Sequence, residues 1–185
     1  MRFGALISHA YVLENSAGRD LIYGAVYPES RTAIRALGQV DHLHLSHNHE
    51  ISKGLAYAKT ALAADLVGHR EMQKYFPNDL SLDRTIETEG ELLRDAGLTA
   101  IYTPGHTDDN ICYRYASPHG RTYLFVGDTL YPEHGAWKAL FITSHGGDRD
   151  MLVRALEKLK NVQADVIIPS LAVGQDLVAE MNRAE

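Results

Sequence analysis

The stretch LSHNHE, residues 45–50, places two histidines directly after a short apolar segment. Residues His42–Leu45 have the composition of a β-strand. His47 and His49 are two positions apart, so their imidazole rings lie on the same side of an extended chain. Neutral imidazole is a common ligand for Zn²⁺ and similar metals. The stretch therefore indicates either part of a metal site or a pair of exposed or capping histidines.

Two further stretches place a polar side chain just after a β-type segment. YTPGHTDDN, residues 102–110, has a Pro-Gly turn with His106 at its tip, which suits a third ligand or an ordinary surface histidine. In LFVGDTLYP, residues 124–132, Asp128 follows a strand end and suits a ligand, a general base or a cap. Sites in α/β folds form beyond the ends of strands. Three histidines and one carboxylate together match the ligands of a catalytic Zn²⁺.

Strand and helix patterns alternate along the chain and predict an α/β (α+β) fold in which helices cover sheets. Ser30 is a candidate cap for a helix that ends at Gly38. Four apolar residues at helical spacing mark the buried face of a second helix; they are Ile51, Leu55, Ala58 and Leu62. The remaining predictions are a long loop over 127–147, a helix capped by Asp148 or Asp150, a strand over 166–168, and a closing helix with Leu177, Val178 and Met181.

Length and composition limit the classes of function. The chain has 185 residues and a mass of 20.5 kDa, which predicts one domain over residues 1–185. Lys and Arg number 18 and Asp and Glu number 24, and the resulting charge of −6 argues against a nucleic-acid partner. A single cysteine, Cys112, excludes an internal disulfide. Because no transmembrane-length apolar run and no signal-peptide pattern is seen, we expect a cytoplasmic protein without a membrane partner.

SHNH followed by a helix, then TPGHT, then FVGDTL, in this order, resemble the metallo-β-lactamase superfamily. The stretch IETEGELLRDAGLTAIYTPGHT, residues 86–107, is similar to the family's approach to its third histidine, and the resemblance extends from about Ala10 to Val173. It implies a single domain with a four-layer αββα sandwich and a metal site at one edge of the two sheets. It also implies hydrolysis, with ester, thioester and lactam bonds as the usual targets.

The resemblance assigns the first metal site to His47, His49 and His106, with Asp128 as the carboxylate that usually bridges two ions. The second site has lost its other ligands. In the family's HxHxDH motif, Ile51 stands at the Asp position and Ser52 at the last histidine, where it instead suits a helix cap.

Two further departures concern the ends of strands. The late PGH turn of the family corresponds to IIPSLAVG, residues 167–174, with Ser170 and Leu171 in place of Gly and His. The early strand usually ends in an aspartate that supports the first motif, and LIYGAV, residues 21–26, has none. These losses predict one metal ion rather than two, or none.

Several other side chains are candidates for supporting roles. His134, in YPEHGAW, and His145, in TSHGGD, are predicted to bind substrate, the competing interpretation being exposed loop histidines. Glu50 is expected to point away from the histidine pair, and His42 and His44 are expected to be buried and hydrogen-bonded rather than ligands. Three aromatic residues of the same loop suit either a pocket wall or core packing; they are Tyr131, Trp137 and Phe141.

The resemblance, with the surviving His47, His49, His106 and Asp128, implies a mononuclear zinc hydrolase, with Fe and Mn as open alternatives, that cleaves an ester, thioester or related acyl bond of a small molecule. Asp128 is the expected catalytic residue, either completing the ligand set or accepting a proton from water. The eroded second site argues against phosphodiester cleavage. The alternative is a non-catalytic binding or regulatory protein that keeps the fold and at most one ion, so the sequence leaves enzymatic activity open.

Overall fold

The computed structural model describes residues 2–3, 6–15, 18–24, 27–87, 92–93, 97–173 and 179–180, and short strands dominate its regular structure. The strands are β1 Arg2–Phe3, β2 Leu6–Ser8, β3 Tyr11–Asn15, β4 Gly18–Ile22, β5 His42–His44, β6 Asp65–His69, β7 Arg84–Ile86, β8 Leu92–Leu93, β9 Leu98–Tyr102, β10 Ile111–Ala116, β11 Thr122–Gly127, β12 Tyr131–Glu133, β13 Ala136–Lys138, β14 Val166–Pro169, β15 Leu171–Val173 and β16 Ala179–Glu180. The α-helices are α1 Pro28–Leu37, α2 Lys53–Leu62 and α3 Arg149–Leu159, and 3₁₀ segments cover Asn48–Glu50, Arg70–Tyr75 and Thr143–His145.

The strands form three sheets. The first has the order β3-β4-β5-β6-β7, with β3 and β4 antiparallel and the other pairs parallel. The second has the order β16-β14-β11-β10-β9-β8, and only its β11–β14 pair is parallel. The third has the order β1-β2-β15-β12-β13 and brings the start of the chain against the segment that follows β14.

The main hydrophobic core lies between the first two sheets. It joins Ile22 of β4 to Tyr113 of β10 and Phe125 of β11, and the rings of Tyr23 and Phe125 meet edge to face at 6.1 Å. α1 and α2 contribute buried residues to this cluster; they are Ile34, Leu55 and Leu62. The alternate residues of the second sheet form another cluster with Leu159 of α3; they are Ile101, Cys112, Leu124 and Ile167. This helix–sheet–sheet–helix order is the predicted four-layer αββα sandwich.

Three of the four predicted helices form, with shifts at their ends. α2 begins at Lys53, so Ile51, which was expected on its buried face, precedes the helix. α1 begins at Pro28, two residues before Ser30, because proline is well suited to the first turn of a helix. It ends at Gly38, which has a φ of 119°. α3 begins after Asp148, whose carboxylate accepts a hydrogen bond from the Met151 N–H. No helix in the described ranges is long and apolar enough to span a membrane.

Two sequence predictions differ from the structure. The long loop over 127–147 contains a hairpin, β12–β13, whose turn residues His134 and Gly135 have φ values of 50° and 79°. Two consecutive left-handed residues fit a tight hairpin turn, but histidine is not one of its usual residues. The predicted closing helix is wrong at Ala179–Glu180, where the chain pairs with β14 as a strand. The residues on which that prediction was based, Leu177, Val178 and Met181, lie outside the described residues.

Candidate metal centre

Four predicted ligands converge at one point near the ends of two central strands. His47 and His49 follow β5, His106 lies in the turn between β9 and β10, and Asp128 follows β11. His47 Nε2 lies 3.3 Å from Asp128 Oδ2, and His106 Nε2 lies 3.8 Å from the same oxygen. His106 Nε2 is also 3.4 Å from His49 Nδ1. One ligand atom from each residue lies within 4.8 Å of all the others.

These separations fit ligands around an ion. Bonds of about 2.0–2.1 Å in tetrahedral geometry place ligand atoms roughly 3.3 Å apart. In a second His/Asp group, His42 Nδ1 and His44 Nε2 each lie 2.9 Å from Asp20 Oδ1, which is a hydrogen-bond distance. The prediction that His42 and His44 are hydrogen-bonded is confirmed, with His44 buried and His42 half-buried.

The histidine nitrogens that face the cluster contact one another or Asp128 rather than other parts of the fold. His47 Nε2 is buried, and its contact with Asp128 Oδ2 at 3.3 Å is an ion-pair contact that lacks hydrogen-bond geometry. His106 Nδ1 lies 2.7 Å from the carbonyl oxygen of Leu140 and donates its proton there, which leaves the Nε2 lone pair facing Asp128. An orphaned buried nitrogen and a fixed tautomer are both features that a bound cation explains.

The electrostatics of the cluster also suit a cation. Burial lowers the pKa of His49 to about 4 and also lowers that of His106, so both rings are neutral at pH 7. Burial opposes ionisation of Asp128, yet His47 holds the pKa of this carboxyl well below its usual range. The pKa of His47 is raised, against the effect of burial, by the Asp128 and Glu50 carboxylates. The residues present therefore fit a metal ion that displaces one proton from His47.

Glu50 lies behind His47 rather than among the ligands. Its Oε1 accepts hydrogen bonds from the Ser46 N–H at 2.8 Å and the Ser46 hydroxyl at 2.5 Å, and its Oε2 accepts one from the Gly24 N–H at 2.6 Å. The Ser46 hydroxyl also lies 2.8 Å from His47 Nδ1. Glu50 is not in the group of converging ligand atoms, but it does not point away from the histidine pair as expected, because its Oε1 lies 3.6 Å from His47 Nδ1. Sequence reasoning also missed that Glu50 joins the end of β4 to the histidine segment.

Buried polar residues connect the three ligand segments to one another. Asp109 Oδ1 accepts hydrogen bonds from the Thr107 hydroxyl at 2.6 Å and the Asn48 side chain at 3.1 Å. The Asn110 amide donates to Thr103 at 3.0 Å and to the Thr129 hydroxyl at 2.8 Å. The sequence signal for this network is the polar run TDDN, residues 107–110, directly after the turn.

Two glycines allow the ligand segments to approach closely. Gly127 has a φ of 57°, and a Cβ there would lie 2.8 Å from the Ser46 hydroxyl oxygen. Gly105 has a φ of 149°, and a Cβ there would lie 2.3 Å from the Cα of Leu152 in α3. Any side chain at either position would push a ligand segment away from its neighbours.

One known protein family matches most of the chain. The model of the metallo-beta-lactamase superfamily matches residues 3–170. The chain belongs to the metallo-β-lactamase superfamily.

Individual relatives within the superfamily are distant. A hydroxyacylglutathione hydrolase of Citrobacter koseri is 26% identical over 174 residues, which are 87% of this chain and 60% of that protein, so the chain spans well under two thirds of it. The solved structure of TTHA1623 in a di-iron-bound form is 18% identical with a TM-score of 0.70, covering 97% of this chain and 93% of its own. ETHE1 from Myxococcus xanthus is 19% identical with a TM-score of 0.69, covering 94% and 74%. At identities of 18% and 19%, these two structures show that the chain shares their fold and nothing more.

A cavity of about 390 Å³ lies beside the ligands, and most of the positions to which the resemblance assigns a second metal site line it. Ser52, Ser170 and Leu171 line this cavity together with Asp128, and Ile51 packs against the main core. Ser52 is the N-cap residue of α2 but makes no side-chain capping bond, so only part of its predicted role is found. Within the described residues, the cavity side of Asp128 has no second group of ligands.

The two predicted substrate residues lie outside the lining of this cavity. His134 is exposed at the β12–β13 turn. The His145 ring stands perpendicular to His49 at 4.5 Å, and its Nδ1 is 3.1 Å from the Ser144 hydroxyl. Trp137 and Phe141 are 40% and 37% exposed, so neither packs in the core. A substrate role for His134 and His145 stays a prediction.

Proposed function

We propose that the protein is a mononuclear metal-dependent hydrolase that cleaves an ester, thioester or related acyl bond of a small molecule, with Zn²⁺ as its ion. The observation that carries this proposal is the convergence of His47, His49, His106 and Asp128 at ligand separations. A bound divalent ion supplies Lewis-acid polarisation of a carbonyl group and makes a nucleophilic water available at neutral pH.

The residues of the chain hold and orient the reacting groups. His106 presents Nε2 because its Nδ1 proton is fixed on the Leu140 carbonyl, and His47 presents Nε2 because Ser46 contacts its other nitrogen. Asp128 stays ionised, since its pKa is lowered, and it is therefore a weak base. We assign Asp128 to the ligand set rather than to proton removal. The cavity beside it is the space for the acyl group.

Two observations support an acyl substrate. The Citrobacter koseri relative is named as a hydroxyacylglutathione hydrolase, which acts on an acyl group. The apolar Leu171 and the hydroxyls of Ser52 and Ser170 occupy the side of Asp128 where two-metal hydrolases hold a second ion. Two ions clamp both oxygens in many phosphodiesterases. One ion with an acyl substrate is therefore the better match.

The test begins with metal-free protein prepared by chelation and reloaded separately with Zn²⁺, Fe²⁺ or Mn²⁺. Each form is assayed with a p-nitrophenyl ester, a simple acyl thioester and a hydroxyacylglutathione. We expect turnover of at least one acyl probe by the reloaded protein, and none by His106→Ala at equal concentration.

The exposed His119→Ala variant is the matched control and should retain activity. Protein that binds one ion tightly but hydrolyses none of the three probes would support the non-catalytic alternative. Turnover that survives both chelation and the His106 substitution would contradict a metal mechanism.

A further inference from the structure

His9 lines the same cavity as Asp128 and Ser170 and has no part in the metal centre. Its Nε2 is buried and has no hydrogen-bond partner among the described residues. A buried polar atom without a partner costs stability, and such atoms are rare in native proteins. Because no described residue pairs with this nitrogen, a group that enters the cavity is a candidate partner for it.

Strand pairing fixes where His9 lies. β2 runs antiparallel to β15 with Ser8 opposite Leu171, and the His9 N–H donates a hydrogen bond to the Ser170 carbonyl at 2.9 Å. Leu171 is the position at which the family carries its last histidine ligand. The chain thus has an imidazole next to that position in space, supplied by the N-terminal strand rather than by the late turn.

His9 is not a metal ligand in this arrangement. The described group of converging ligand atoms contains His47, His49, His106 and Asp128, and His9 lies outside it. We infer that His9 is a substrate-binding residue whose ring hydrogen-bonds an uncharged oxygen, a hydroxyl or a carbonyl, on the acyl part of the substrate. This inference rests on the proposed function and adds the class of group that the cavity accepts.

The composition of the cavity argues for an uncharged group. Its lining contains no Lys or Arg, and it carries two carboxylates, Asp128 and Glu50. His47, the basic group of the lining, already faces both carboxylates, so an anionic acyl group would find no free cationic side chain among the lining residues. Burial lowers the pKa of His9, so its ring is neutral at pH 7 and can donate or accept one hydrogen bond. Tyr23 and Leu171 complete the wall with apolar surface.

The test uses two hydroxamic acids that differ by one hydroxyl, 2-hydroxypropanohydroxamic acid and propanohydroxamic acid, with cobalt(II)-loaded protein. The cobalt absorption spectrum reports binding at the metal directly. We expect wild type to bind the hydroxylated probe about 3–10-fold more tightly, the value of one hydrogen bond. His9→Phe should lose this preference, and His9→Gln should keep part of it. His119→Phe, at an exposed position, should keep all of it.

A second measurement separates binding from a structural role. Without hydroxamate, His9→Phe should unfold at the same temperature as wild type or higher, because the substitution removes an unpaired buried atom. A clearly lower temperature would mean that His9 has structural partners and would overturn the inference, as would loss of cobalt from His9→Phe. If both probes bind but show no preference, or one that persists in His9→Phe, only the role of His9 is overturned. If neither probe binds, the proposed function fails as well.

Discussion

The Ser170 hydroxyl donates a hydrogen bond to Asp128 Oδ1. The Ser170 N–H also donates to the Gly127 carbonyl at 3.0 Å, so the turn after β14 lies directly against the end of β11. This contact supports the alignment of IIPSLAVG with the family's last motif. It also gives Asp128 Oδ1 a neutral partner on the side where a second ion would lie, while Oδ2 faces His47.

We predict that the protein retains about one transition-metal ion per chain after dialysis. The physical reason is that Ile51 and Leu171 offer no ligand atom and Ser170 already bonds Asp128. Elemental analysis of untagged protein measures the ratio. Two ions per chain, unchanged by Ile51→Val or Leu171→Val, would show that other residues build a second site.

The second prediction concerns the ligands themselves. Loss of a residue that hydrogen-bonds a metal ligand lowers metal affinity roughly 10–100-fold. His49→Ala or His106→Ala should lower it further, because each substitution removes a metal bond. Competition with a chromophoric chelator measures this affinity. His119→Ala is the matched control, and its affinity should equal that of wild type. Unchanged metal binding by His106→Ala would refute a shared site.

The four side chains that converge could be picked out from the sequence because each one is placed by its own local motif. His106 follows a Pro-Gly turn, and Asp128 follows a glycine whose positive φ the structure requires. The main strands and helices likewise follow from local hydrophobic periodicity. Such features need no information about distant parts of the chain.

The parts that sequence reasoning missed depend on contacts between distant segments. Glu50 joins two segments because its carboxylate accepts a hydrogen bond from the Gly24 N–H, and His9 reaches the cavity because β2 pairs with β15. The hairpin β12–β13 is short, with Pro132 in its first strand and a histidine in its turn, so its local signal is weak. None of these pairings can be derived from spacing along the chain.

The third prediction tests Glu50 as a positioning residue for His47. Glu50→Gln keeps the size of the side chain but replaces one acceptor oxygen by a donor, which opposes the N–H of Ser46 or of Gly24. We expect metal affinity to fall about 10–100-fold and the free energy of unfolding to fall by about 1–3 kcal/mol. Metal titration and chemical denaturation measure the two effects. Glu29→Gln, on an exposed residue of α1, should change neither.

The fourth prediction concerns pH. In metal-free protein the Asp128 and Glu50 carboxylates raise the pKa of His47 above the usual histidine value of 6.5, despite burial, so this ring keeps a proton at pH 7. An ion must displace that proton, and zinc affinity should therefore rise as pH increases from about 6.5 to 8.5, by roughly tenfold per pH unit for one proton. The ion pair stabilises the metal-free fold fully below pH 6.5, and this contribution is lost as pH rises through the raised pKa.

The difference in melting temperature between zinc-loaded and metal-free protein should consequently widen with pH over the same range. Isothermal titration in buffers of different ionisation enthalpy measures the protons released. Zinc affinity that is flat across this range, with no proton released, would show that His47 is already neutral and that its pKa is not raised.

The last prediction is that the second metal site can be restored. Ser52 and Leu171 line one cavity with Asp128, and the Ser52 side chain makes no capping bond, so histidines at both positions would face the carboxylate. Ile51→Asp, Ser52→His and Leu171→His together should bind a second ion about 3.5–4 Å from the first. The metal-free variant should be less stable by a few kcal/mol, because Ile51 packs against the core and a carboxylate there loses its apolar contacts. Metal should recover part of that loss, since it binds only the folded state. Ser52→Ala with Leu171→Ala is the control and should keep one ion. A folded triple variant that shows a single binding event in a metal titration would mean that these positions do not converge on Asp128.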